Sequence, residues 1–457
     1  MTTDHSSNCR LLNRVVFIAC LLLLLMPSTR SVAQNQTPNI VFFYADDLGY
    51  GDIACYGHPY AKTPHIDRLA RDGTRFTQAY STGSTCNPAR VGYMTGKFPA
   101  SFARFPADFG FGDRVTISEL LKQKGYVTGH FGKWHIGPTR KQGTYGLDTI
   151  MDGQRSIELG KDAGIYDETI KFIKANKDNA FYVNVWGRIT HFPVNPPQHY
   201  ADRFKNIRVD PADFGPTMHR KFKQVRSLGQ DIDTGMRNFL GEVMALDEAV
   251  GRVLATIDKL GIADKTIVVF SSDQGAAPVV FNKSTEKDPK LMANMLGSAG
   301  PFRGGKHTTL EGGVRTPFIA RWPGVIPAGN VDRESVISGI DWLPTLCAIA
   351  GIEIDTNDFD GEDVSHAWLG QQKHIRTKPL FWRNPAPGGV ISMRYGKWKA
   401  YLRRNGKAVK LYDVTIDPLE QHDVATDHPK VVTDLRTRSN AWATTLPRKY
   451  ATAKKKD

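Results

Sequence analysis

The chain has 457 residues, a formal charge of +14, 40% hydrophobic and 23% charged residues. That is ordinary for a soluble globular protein and long enough for one large α/β domain with a smaller one beside it. The basic balance suits an anionic partner. No zinc-finger spacing and no RNA-binding signature accompanies it, so nucleic acid is not expected, and five cysteines are too few for a disulfide-built scaffold.

Residues 1–33 combine a basic start at Arg10 and Arg14, an apolar run over 15–26 and a small-residue exit at Ser31, Val32 and Ala33. This reads as a secretory signal peptide whose core is too short to span a bilayer comfortably. No later stretch reaches membrane-spanning length. The expectation is an exported protein, periplasmic or extracellular, without stable membrane insertion. Cys9 and Cys20 leave with this segment, and the remaining charge is +12. Of the cysteines left, Cys55 and Cys347 are either a pair or two buried thiols, and Cys86 stands apart.

Residues 39–44 are a continuous β-branched and aromatic run ending in Asp46 and Asp47. Such a run predicts a strand buried on both faces of a parallel sheet, with its carboxylates at the end where open α/β sheets place ligands. The pair is either an acidic turn or two oxygen ligands for a hard cation such as Ca²⁺ or Mg²⁺. Residues 266–271 repeat the pattern and end in Asp273 and Gln274. The two ends converge if both strands are central and parallel. Between them, a short helix (64–72) and a strand (76–80) lead to Cys86-Asn87-Pro88-Ala89-Arg90. Pro88 predicts a helix start with Cys86 just ahead of it, where unpaired amides favour an anion, and Arg90 one turn on as an anion donor. The alternative is a small apolar cysteine packed under a helix cap.

Further along, a strand at 126–131 ends in Lys133 and His135, whose alternation places both on one side of an extended backbone. Another strand (181–186) leads to His191. Residues 194–229 read as a long proline-containing loop bordering a pocket. Residues 231–260 carry apolar positions at helical intervals and predict a long helix packed on the sheet. A polar insertion follows (276–300), then a glycine-rich segment presenting Lys306, with Glu311 and Arg315 holding the loop. A helix at 341–351 is followed from residue 376 by short alternating segments and a helix near 430–442, predicting a small antiparallel sheet.

Cys86-Asn87-Pro88-Ala89-Arg90 with Thr95-Gly96 resembles the signature of the sulfatase family, C-x-P-S/A-R. Asp46-Asp47, Gly132-Lys133-Trp134-His135, His191 before Pro193, the Ser272-Asp273 ending, the Arg303-to-Arg315 element and Leu411-Tyr412-Asp413 match further family motifs in the family's order. Gln274 departs from the usual Asn or His there. The resemblance spans about 39–424 and implies an alkaline-phosphatase-like α/β sandwich. A large, mixed, mostly parallel sheet is flanked by helices, with a smaller C-terminal antiparallel-sheet subdomain. The implied divisions are 1–33 signal, 34–375 catalytic domain, 376–450 subdomain and 451–457 basic tail.

In this reading a maturation enzyme oxidises Cys86 to formylglycine, and Asp46, Asp47, Asp273, Gln274 and residue 86 hold Ca²⁺. Arg90, Lys133, His135, His191 and Lys306 complete the catalytic set. The implied activity is hydrolysis of sulfate monoesters, with sulfated carbohydrate as substrate. The alternatives are a formylglycine-dependent phosphomonoester or phosphodiester hydrolase, and a non-catalytic protein that binds sulfated glycans.

Overall fold

The computed structural model describes residues 37–137, 141–279, 288–383, 390–402, 409–447 and 451–452. The signal segment and residues 453–457 of the basic tail lie outside the described residues. Nine strands form the large sheet: β1 (Asn39–Ala45), β2 (Thr74–Tyr80), β3 (Val127–Gly132), β4 (Thr149–Met151), β5 (Phe181–Trp186), β6 (Thr266–Ser272), β7 (Arg315–Arg321), β8 (Asn330–Asp332) and β9 (Ile337–Ser338). Their order is β4-β3-β5-β1-β6-β7-β2-β8, with β9 also on β2. Only β7 is antiparallel to its neighbours among the described strands. The C-terminal ends of β1, β2, β3, β5 and β6 therefore share one edge.

Strand β1 lies between β5 and β6, parallel to both. Its side chains alternate between two cores. Val41 and Phe43 face one side; Ile40, Phe42 and Tyr44 face the other. A strand with an apolar core on each face has no polar side, which is why its sequence is an unbroken apolar run.

Among the helices, α1 (Cys86–Thr95), α2 (Ile232–Lys259), α3 (Trp342–Ala350) and α4 (Pro429–Thr445) organise the rest. Helix α2 is capped by the Asp231 side chain, which accepts from the amides of Asp233 and Thr234. It buries Met236, Phe239, Leu240, Val243, Leu246, Val250, Val253 and Ile257, the stripe its periodicity predicts. Each such side chain contributes about 1.5–3 kcal/mol through burial. On the other face of the sheet, Trp342 of α3 lies 4.2 Å from the Phe42 ring.

Two expectations are corrected. Residues 194–229 are not one open loop: they hold helices Gln198–Asp202 and Pro216–Ser227, and Tyr200, Phe204, Phe222 and Val225 join the α2 core. Pro197 and Pro216 sit at the two helix starts, where a missing N–H costs nothing. Nor are the described parts of the 276–300 segment, 276–279 and 288–300, a polar excursion, since Ala276, Ala277, Met292, Leu296 and Ala299 are buried. Cys55 and Cys347 are free thiols, so of the two options left open there is no pair.

The second sheet runs β10 (Leu380–Arg383), β11 (Ile391–Tyr395), β12 (Trp398–Leu402), β13 (Val409–Asp413), antiparallel throughout. The expected class, a mostly parallel sheet with flanking helices and a separate C-terminal antiparallel sheet, is what the chain adopts. Residues 37–457 form one compact unit, and we propose a subdomain start near residue 376 within it.

This sheet grips the large one through buried charge. Lys399 Nζ lies 2.7 Å from Glu311 Oε1, Arg315 Nη1 is 3.1 Å from Glu311 Oε2, and the Glu311 amide donates to Glu420 at 2.8 Å. Glu311 and Arg315 thus hold their loop as expected. Burial raises the Glu311 pKa, and the Lys399 and Arg315 charges more than reverse this, holding it at about 2.

Lys399→Met strands one partner of a buried pair and is expected to cost about 3–5 kcal/mol in urea denaturation. A depressed carboxylate stabilises above its ordinary pKa of 4.5 and loses that contribution as pH falls through the folded value of about 2. Across that window the wild type should therefore lose more stability than Glu311→Gln.

Candidate active site

The site forms where β1 and β6 end. Ala45 pairs with Ser272, so Asp46-Asp47 and Asp273-Gln274 emerge side by side. The Asp47 amide donates to Asp273 Oδ1 at 3.0 Å. Asp47 adopts φ 65°, a left-handed conformation uncommon outside glycine and typical of functional turns. The turn after β2 is pinned to the same tip, because Ser81 Oγ donates to the Asp273 carbonyl.

That turn delivers Cys86, whose Sγ lies 3.3 Å from Asp46 Oδ1 and 3.9 Å from Asp47 Oδ1. Helix α1 begins at Cys86 itself, with Thr85 as N-cap, two residues earlier than Pro88 predicts. Pro88 still occupies the first turn, where its absent N–H leaves no bond unmade.

Three cations, two histidines and a carboxamide complete the cluster. Arg90 is fully buried: Nη2 lies 2.8 Å from Asp273 Oδ2 and 3.6 Å from Asp46 Oδ1, and Nη1 donates to the Lys133 carbonyl at 3.0 Å. It is committed to carboxylates here rather than leaning over Cys86 as a free anion donor. Lys133 Nζ is 2.6 Å from Asp46 Oδ2, and Lys306 Nζ is 2.7 Å from Asp47 Oδ1 and 2.8 Å from Oδ2. His191 Nε2 lies 3.9 Å from Asp47 Oδ2. His135 has φ 57°, so it does not continue an extended backbone as the alternation predicts. Asn87 Nδ2 donates to its carbonyl at 2.7 Å.

Burial first, then Asp46, Asp273 and Asp47, pushes the Cys86 thiol well above its ordinary pKa. Burial and the carboxylates together thus favour the protonated form of the unmodified thiol. Burial raises the Asp46 carboxyl, but Lys133 and Arg90 outweigh it and hold the group well below the usual range. Asp273 rises to about 7, through burial and then its neighbour Asp46. Burial, reinforced by Lys133 and Arg90, lowers His135 to about 4, so its imidazole is neutral at physiological pH.

Single ligand atoms of Asp46, Asp47, Cys86 and Asp273 all lie within 4.8 Å of one another. Oxygens on opposite sides of a Ca²⁺ ion stand about 5 Å apart, so this spacing fits. Gln274 supplies a further sign. Its Oε1 is buried with no hydrogen-bond partner among the described residues, while Nε2 faces Asp47 Oδ1 and lies 3.6 Å from Cys86 Sγ. A buried carboxamide oxygen without a partner is costly. Turning the amide would aim that oxygen at the cluster.

Every predicted site residue thus comes to one place. Sequence reasoning missed Asn87, Ser81 and Thr190. The last donates from its amide to the Asp46 carbonyl at 2.7 Å and from Oγ1 to the Asp47 carbonyl at 3.2 Å. All three act through backbone groups, which carry no residue signature.

A buried thiol amid carboxyl groups and paired cations at the edge of a mostly parallel sheet is a site whose charges suit an anionic ligand. The Sulfatase family model matches residues 38–352, and the chain belongs to the sulfatase family, whose members hydrolyse sulfate esters. It is 30% identical to human (Homo sapiens) arylsulfatase A, over 86% of this chain and 80% of that one. It is 27% identical to N-acetylgalactosamine-6-O-sulfatase of Bacteroides thetaiotaomicron, over 88% and 92%. Among solved structures, Ps i-CgsB superposes with a TM-score of 0.74 at 25% identity, over 91% of this chain and 95% of that one.

Gly275 links the two loops of the site, its amide donating to the Gly313 carbonyl at 3.0 Å. A Cβ there would meet the Gly312 oxygen at 1.8 Å. Gly275→Ala is expected to destabilise by about 1–3 kcal/mol in urea denaturation.

Proposed function

We propose that this protein is an exported sulfatase that hydrolyses sulfate monoesters of carbohydrate, with Cys86 as the precursor of formylglycine and Ca²⁺ held by Asp46, Asp47, Asp273, Gln274 and residue 86. The observation that carries this reading is the position of Cys86. Its thiol lies among three carboxyl groups, where it is too protonated to serve as a nucleophile. In this reading a maturation enzyme oxidises it. Formylglycine supplies a hydrated aldehyde, one hydroxyl to attack sulfur and a second whose deprotonation releases sulfate.

The charge balance supports the cation. Asp46, Asp47 and Asp273 are matched by Arg90, Lys133 and Lys306. A dication added to that set leaves a positive site, as an anionic ester needs, and supplies Lewis-acid stabilisation of its oxygens. Lys133 and Lys306 bind the sulfate oxygens. Asp273, with its raised pKa, takes the proton of the attacking hydroxyl. His191, partly exposed at the rim, donates a proton to the departing alcohol. His135, neutral at physiological pH, accepts a proton as sulfate leaves. The +12 charge after the signal segment and the relative that acts on an N-acetylgalactosamine sulfate favour sulfated carbohydrate.

Cys86→Ala is expected to abolish sulfate release from 4-nitrophenyl sulfate, and mass spectrometry of the Cys86 peptide should find an aldehyde in place of the thiol. Wild-type-like turnover by Cys86→Ala would refute the nucleophile, and faster turnover of 4-nitrophenyl phosphate would favour the phosphoester reading. Calorimetric titration should show one Ca²⁺ bound, at least about tenfold more weakly in Asp273→Asn.

A further inference from the structure

The loop that carries His191 is braced by a buried ion pair lying outside the cluster. Lys161 Nζ donates to the carbonyls of His191 at 2.7 Å and Pro193 at 3.0 Å. The same ammonium lies 2.8 Å from Glu242 Oε2, with the two side chains 12% and 3% exposed. Glu242 projects from α2, and its other oxygen accepts from the Asn195 amide at 2.9 Å. One Lys–Glu pair therefore holds the backbone from the histidine to Asn195, anchored to the 28-residue helix α2.

The neighbouring contacts serve the same loop. Asp162, next in sequence to Lys161, accepts from the amides of Arg188 at 2.6 Å and Ile189 at 3.0 Å. Asn294 Nδ2 donates to the Val194 carbonyl at 2.8 Å. The imidazole is oriented as well. His191 Nδ1 lies 2.9 Å from the Phe192 carbonyl, an atom that only accepts, so Nδ1 carries the proton. Nε2 is then the nitrogen turned to the reaction centre, 3.9 Å from Asp47.

The Lys161 ammonium is partnered by Glu242 and by these two carbonyls. A charge that far out of water is costly unless well partnered. A general acid must hold its proton within hydrogen-bond reach of the leaving oxygen, and small displacements are expensive in rate.

We propose that Lys161 and Glu242 form a positioning pair that sets the His191 imidazole for proton transfer to the leaving alcohol. The proposal rests on His191 as that proton donor, and the experiment separates the two. Protonation matters greatly for a sugar alkoxide and little for 4-nitrophenolate, which is a stable anion without it.

Glu242→Gln, and Lys161→Met combined with Glu242→Gln so that no lone charge stays buried, are compared with wild type on 4-nitrophenyl sulfate and on a monosaccharide 6-sulfate that the wild type hydrolyses. Expected is a kcat loss of about tenfold or more on the sugar sulfate and under about threefold on the aryl sulfate, with KM little changed. Lys161→Arg, which keeps the charge, should retain most of the sugar-sulfate activity. His191→Ala should show the same selectivity, more strongly; equal losses there would overturn the acid assignment itself.

The pair is judged separately by NMR of histidine-labelled protein, with the His191 ring signals assigned by their loss in His191→Ala. Those signals should shift or broaden in the folded Glu242→Gln variant. Unchanged His191 signals, or equal kcat losses on the two substrates while His191→Ala is selective, would overturn the positioning role.

Discussion

Three carboxyl groups packed at the tips of β1 and β6 repel one another, and much of the site is arranged to make that tolerable. Asp46, Asp47 and Asp273 are essentially inaccessible to water, so their charge must be met by groups the fold supplies. Arg90 spans Asp46 and Asp273 from α1, Lys133 reaches Asp46 from the end of β3, and Lys306 reaches Asp47 from the loop before β7. Each cation comes from a different part of the chain. The cluster is therefore a junction of segments remote in sequence.

The same constraint explains the C-terminal sheet. The Lys306 loop is glycine-rich and would have many conformations by itself. It is gripped from outside by Lys399 and Glu420 against Glu311, and Tyr401 donates to the Thr309 carbonyl at 3.1 Å. Trp382 Nε1 donates to the Ser81 carbonyl at 2.8 Å, and so braces the turn that carries Cys86. The small sheet thus restrains two of the loops that approach the centre. On the opposite side, Lys161 and Glu242 do the same for His191. Loops positioned by rigid elements are a common way to hold reactive groups, and here the rigid elements are a second sheet and a long helix.

Several readings from residues alone survive because they depend on local physics. Apolar runs buried on both faces, the stripe of α2 and the short helix Pro64–Arg71 each follow from a period or a terminus. The failures share a cause. Residues 194–229 look like a loop because prolines and basic residues break their pattern, yet the prolines open helices whose inner faces complete the α2 core. His135 was expected to continue an extended strand, but the backbone turns left-handed there, a choice that neighbouring loops impose. Helix-end electrostatics suggest an anionic residue 86, and burial together with three carboxylates brought from elsewhere favours the neutral thiol instead.

By itself the sequence determined the strands, their acidic endings, the cysteine turn and the cationic side chains, because each is encoded within a few consecutive residues. Only the tertiary structure decided which cation meets which carboxylate, that Gln274 has an oxygen to spare, and that Lys161, thirty residues before His191, holds its loop. Those facts depend on contacts to backbone carbonyls and on distances between remote segments. Backbone carbonyls are the same at every residue, so no pattern of side chains could announce where they would be needed.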